Sequence, residues 1–167
     1  MRYNKLIEES NIFQRDFNHT TIKSINNNPL FPNDGFYLGG YSMRGFESGG
    51  IGPRVKSGNG AVIDDYGLGG TELYYFNTEI KFPLFVPKEF SMFGVLFFNA
   101  GTVSGIEDNP EVNKNLIYDN DSIRSSAGFS ILWQTYVGNL SIDFSKTIKK
   151  EHYDRDENFR FNIGTNF

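Results

Sequence analysis

Cysteine is missing from all 167 residues of the chain. Its absence excludes disulfides, a cysteine nucleophile and thiolate metal sites, and it leaves the redox compartment open. Histidine is nearly missing: His19 and His152 stand far apart in sequence, so a multi-histidine metal centre would have to draw on carboxylates. No apolar run approaches the roughly 18–20 residues that a membrane-spanning helix needs, which excludes a helical membrane protein. There is no basic excess either. Lys and Arg number 16 against 20 Asp and Glu, for a net charge of -4 and a pI near 5.2, so nothing resembles a footprint for nucleic acid. Gly39–Gly45 follows a strand-like run but lacks the lysine and following helix of a phosphate loop, and no nucleophile stands beside a base. Asp119-Asn120-Asp121 and Asp64-Asp65 match no EF-hand loop and read as solvated loop charges. The expectation is a protein that is not an enzyme and holds neither cofactor nor metal.

Aromatic residues are what the chain has in quantity. Its 17 Phe, 9 Tyr and 1 Trp sit in a sequence that is only 38% hydrophobic. Many aromatics on a polar average fit strands that turn an apolar face to lipid and a polar face to a lumen, as in a transmembrane β-barrel. Five segments alternate with period two. In residues 159–167, Phe159, Phe161, Ile163, Thr165 and Phe167 share one face, and Arg160, Asn162, Gly164 and Asn166 share the other. Leu140, Ile142, Phe144 and Ile148 oppose Ser141, Asp143, Ser145 and Thr147, while Ala127, Phe129, Ile131 and Trp133 oppose Arg124, Ser126, Gly128 and Ser130. Residues 72–82 and 90–101 are apolar on both faces. There Glu79 and Asn99 decide, because a polar group facing lipid is costly, so Glu79, Phe97 and Asn99 point inward.

Connections alternate in length. Residues 83–89 and 135–139 are short turns; residues 35–71, 104–122 and 149–157 are longer and polar, and the last of these reads as a surface loop. Short turns at one end and long loops at the other are the layout of outer-membrane barrels. Residues 1–34 form a poorly defined segment with one possible strand within 13–25. The opening MRYNKLIEESNIFQRDF has neither the apolar core nor the cleavage site of a signal peptide, which suggests a fragment of a longer chain or a degenerate gene product.

Residues 35–53 read GFYLGGYSMRGFESGGIGP. Glycines let this loop fold compactly, and Arg44 within it calls for a planar acceptor or an aromatic face. The physical expectation is a loop dipping into the lumen, pinned there by Arg44. The stretch FYLGGYSMRGF followed by GIGPR resembles the signature loop of the BamA family. The LGG of 68–70, TEIKFPL, VLFFNAGTV, IRSSAGFSILW and the terminal FRFNIGTNF follow in the family's order. Residues 35–167 are thereby identified with C-terminal barrel strands of a surface-antigen-like domain, an all-β antiparallel transmembrane barrel half of about five to seven strands. The resemblance implies that Arg44, Gly45 and Phe46 form a luminal clamp with Glu79, Phe97 and Asn99. The common bacterial pattern has aspartate where Asn99 stands, so Glu79 is expected to carry more of the clamp. Phe161, Ile163, Gly164 and Phe167 correspond to a terminal strand and lateral gate, with a kink at Gly164.

The function implied is assembly of β-barrel proteins into the outer membrane. Its partners would be unfolded barrel clients, outer-membrane lipid and accessory assembly lipoproteins. A TamA-like factor, a two-partner secretion transporter and a non-functional remnant are the alternatives, and a passive pore is the competing class.

Overall fold

A computed structural model describes residues 12–22, 34–63, 67–87, 90–106, 113–136 and 138–164. The chain is all-β. Six strands form one antiparallel sheet: β1 (Ile12–Thr21), β3 (Glu72–Pro83), β4 (Met92–Ser104), β6 (Arg124–Thr135), β7 (Gly138–Lys149) and β8 (Phe159–Gly164), adjacent in that order. The sheet does not close, and among the described residues β1 and β8 each have one neighbour. Two short strands, β2 (Arg54–Val55) and β5 (Ile117–Tyr118), pair separately within the long connections.

Register places the faces as the alternation anticipates. Glu79 pairs with Phe97, Phe97 with Gly128 and Asn99 with Ser126, while Asp143 pairs with both Ser130 and Arg160, so all these residues share the inner face. The outer face carries Phe76, Ile80, Leu96, Phe98, Phe129, Ile131, Phe144, Phe161 and Ile163. Six of these, Ile80, Leu96, Phe98, Phe144, Phe161 and Ile163, are between 37% and 64% exposed. A contiguous wall of this kind marks a surface meant for an apolar environment. No helix is long and apolar enough to cross a membrane.

The strand expected within residues 13–25 is the ten-residue β1, which starts one residue earlier, at Ile12. His19 interrupts the apolar alternation on the outer face of β1, where its ring stacks on Tyr74 across the ladder at 4.3 Å. β4 starts at Met92 because Phe90 and Ser91 complete the preceding turn, with Ser91 at a φ of 45°. β8 is described to Gly164, so Thr165, Asn166 and Phe167 lie outside the described residues, as do Asp64 and Asp65.

The buried core lies between the sheet and the β1–β3 connection. Leu38, Met43, Phe46 and Ile51 from the connection pack on Val103, flanked by Phe36, Leu73 and Tyr75. Full burial of each such side chain contributes about 1.5–3 kcal/mol, which is what draws the connection onto the inner face. The β7–β8 connection requires a correction: it is not simply a solvated surface loop. Tyr153 and Asp154 are buried, because Arg124 supplies a cation beneath them.

Candidate functional site: an arginine loop on the inner face

Arg44, Gly45 and Phe46 sit at the deepest part of the connection. The Arg44 guanidinium pairs with the Glu79 carboxylate and lies 3.8 Å from the centroid of the Phe97 ring. Its other terminal nitrogen is 3.5 Å from Ser130 Oγ. A planar cation is needed for this combination of stacking and ion pairing. Phe97 can support it because its partner in register is Gly128: a Cβ there would lie 2.5 Å from the Phe97 ring and 2.1 Å from the carbonyl of Phe144.

Gly45 follows with a φ of 96°, and an added Cβ would stand 2.6 Å from Ser126 Cβ. The turn can therefore be pressed onto β6 and β7. Ser126 Oγ donates to the Arg44 carbonyl, and Thr147 Oγ1 donates to the Gly45 carbonyl at 2.8 Å. Phe46 is fully buried and anchors the loop in the core.

Asn99 shares this face and is fully buried, and no hydrogen bond joins it to Arg44. The Tyr75 hydroxyl donates to its Oδ1 at 3.5 Å. Its Nδ2 has no partner among the described residues, nor does Oδ1 of Asn77 opposite. The Asn77 amide instead donates to Glu79 at 3.3 Å. Glu79 and Phe97 thus hold Arg44 by an ion pair and a ring face, whereas Asn99 gives it no hydrogen bond.

A second arginine, absent from the expected site, lies nearer the loop end of the same face. Arg124 and Asp154 are both fully shielded at their side chains, with Nε donating to Oδ2 at 2.8 Å. Arg124 also donates to Thr102 Oγ1 at 2.9 Å, Tyr153 Oη at 3.1 Å and the carbonyls of Asn120 and Ser122 at 2.8 Å. Burial raises the Tyr153 hydroxyl pKa above its ordinary value, against the opposing pull of Arg124.

On the terminal strand, Phe161 and Ile163 face outward. Asn162 reaches inward to Asp143 at 2.7 Å and Ser141 at 3.0 Å. A Cβ on Gly164 would meet nothing nearer than the Asn139 carbonyl at 3.9 Å. Asp119 accepts the backbone N–H of Gly105 at 3.1 Å. Among the described residues, no group of three or more His, Asp or Glu side chains is gathered as a metal site.

The model of the Omp85 superfamily domain matches residues 2–167, essentially the whole chain. The chain belongs to the Omp85 superfamily. Among curated Omp85 relatives, it is 30% identical over 125 residues to the outer membrane protein assembly factor BamA of Neorickettsia risticii, a match covering 75% of this chain and 16% of that protein. It is 29% identical over 157 residues to BamA of Neisseria meningitidis serogroup B, covering 83% and 19% respectively. The chain therefore spans less than a fifth of the length of these relatives. Among solved structures, BamA from Haemophilus ducreyi lacking POTRA domains 1–3 shares the fold, with a TM-score of 0.68 at 23% identity, over 93% of this chain and 34% of that one.

Proposed function

We propose that the chain supplies wall strands and the inner-face loop of an outer-membrane protein assembly factor of the BamA kind, acting without catalytic chemistry. The observation that carries this is the Arg44–Gly45–Phe46 turn, held over the inner face by Glu79 and Phe97. A passive pore has no need of a half-buried cation fastening a loop across its lumen. The outer wall of exposed Phe, Leu and Ile supports contact with outer-membrane lipid.

In this reading β8 is the gate strand. Its outer edge has no neighbour among the described residues, and an unpaired edge in lipid costs several kcal/mol per backbone group. A strand of an unfolded barrel client that adds to this edge satisfies those groups, so client capture rests on backbone pairing and requires neither ATP nor a covalent intermediate. The open space beside Gly164 permits the strand to bend inward. Phe167 joins the proposal as the aromatic terminus of that strand. Accessory assembly lipoproteins join it on the resemblance alone.

The test is the folding of a urea-denatured outer-membrane barrel protein into phospholipid vesicles, followed by its heat-modifiable mobility on a gel. Vesicles carrying the chain should fold the client faster than empty vesicles, and Arg44→Ala should remove most of the gain. Equal rates with and without the chain would reject the assignment.

A further inference from the structure

The β3–β4 turn projects an apolar tip that neither the inner loop nor the strand wall explains. It runs from Leu84 to Ser91 between Pro83 and Met92, with a second proline at 87. Phe85 is 109% exposed, and Val86 and Phe90 are also exposed. The described residues of the tip are tied by backbone bonds: Leu84 N donates to the Met92 carbonyl at 3.1 Å, Val86 N to Leu84 at 2.8 Å and Phe90 N to Pro87 at 3.0 Å. The turn is also tied to the wall, since Gln134 N donates to the Ser91 carbonyl at 3.1 Å, just beyond the Met92–Trp133 pair. At the neighbouring hairpin, Trp133 is 40% and Tyr136 111% exposed.

We propose that this turn is a membrane wedge, with Phe85, Val86 and Phe90 inserted at the headgroup–acyl boundary of the periplasmic leaflet. The proposal rests on the outer-membrane reading above, since outer-membrane barrels place their short turns at the periplasmic end. Three observations favour lipid over a protein partner. The exposed Phe85, Val86 and Phe90 stand just beyond the Met92–Trp133 pair at the end of the outer apolar wall; the charged Lys88 and Glu89 between them lie outside the described residues. Phe, Trp and Tyr gather at one level, and such rings prefer the membrane interface. Among the described residues of the turn, Leu84, Val86 and Phe90 have their backbone N–H groups bonded and Pro87 has none to offer, so the turn presents few free donors to a partner strand. Like an interfacial helix, such an apolar tip would be buried about 5–10 Å into the boundary. There it would hold the wall at one depth and resist tilting.

The test uses indole fluorescence of the full chain in phosphatidylcholine vesicles containing brominated acyl chains. Trp133 is the chain's only tryptophan and reports on the wall. Phe85→Trp in a Trp133→Phe background reports on the tip, and Phe85 is fully exposed, so its replacement removes no packing. The expected result is blue-shifted emission from position 85, quenched more strongly by bromine near the headgroup than by bromine near the chain end. Unquenched, water-like emission at position 85 with Trp133 quenched would overturn the wedge and leave the membrane wall intact. If neither site is quenched, both the wedge and the outer-membrane reading fall.

Discussion

Replacing Asp154 should destabilise the chain more than any other single loss of a surface-connection charge. Arg124 is fully buried, and its guanidinium remains charged at any accessible pH. Asp154 accepts from Nε at 2.8 Å and from a terminal nitrogen at 3.3 Å, and it also accepts the Glu151 N–H at 2.7 Å. Asp154→Ala leaves an uncompensated cation in the interior, for which the expected cost is about 3–5 kcal/mol. Asp154→Asn keeps one acceptor and the shape, so its cost should be smaller, about 1.5–3 kcal/mol for a hydrogen bond to a charged group. The double change Arg124→Met with Asp154→Leu removes both charges and should recover much of the loss. The assay is urea unfolding in vesicles followed by Trp133 emission, with the midpoint compared at constant slope. If Asp154→Ala unfolds at the wild-type midpoint, or the double variant is no more stable than the single one, the buried pair does not hold the connection.

Gly45→Ala should cost about 1–3 kcal/mol from its positive φ alone, with further loss from the approach to Ser126, and should expose the loop to limited proteolysis. Tyr153 supplies a pH dependence of known sign. Because its folded pKa is raised, its contribution is fully present below the unfolded value near 10 and declines as pH rises through the folded value. Tyr153→Phe should flatten that alkaline loss in thermal melts at successive pH; an unchanged slope would refute it.

What could be read from the residues followed from which side of a strand is penalised. Glu79 and Asn99 settle the orientation of β3 and β4 because lipid tolerates neither, and that parity carries Phe97 inward with them. The neighbours of Arg44 were accessible for the same reason. Asn99 was harder, since parity places a side chain on a face without saying which way its amide turns, and the Tyr75 hydroxyl takes it. Parity puts Arg124 on the inner face, but its pairing with Asp154 is not legible because 149–157 is dense in charge, a composition that usually means solvent. The available signals were Arg124 opening a strand on the inner parity and Tyr153 lodged among charged residues. Gly128 looked like one more small inner residue; its purpose depends on Phe97 across the ladder.

The two arginines fasten different connections, yet the connections also hold one another. Glu47 N donates to the Arg155 carbonyl at 3.1 Å, Arg155 N to Gly50 at 3.0 Å and Glu157 N to Gly45 at 3.1 Å. Phe46 and Asp156 form an isolated bridge between the same segments. If these contacts make one cap, freeing either connection already weakens the other, and the second loss costs less than it would alone. Glu79→Gln and Asp154→Asn share no side-chain partner, so independent clamps predict additive costs. A single cap predicts a double-mutant coupling above about 0.5 kcal/mol, the limit within which distant sites normally add. Additivity within that limit would mean that the inner loop can be released while the outer connection stays in place. The Arg44 turn would then be free to move on its own, and the backbone bonds joining the two connections would be too weak to transmit its release.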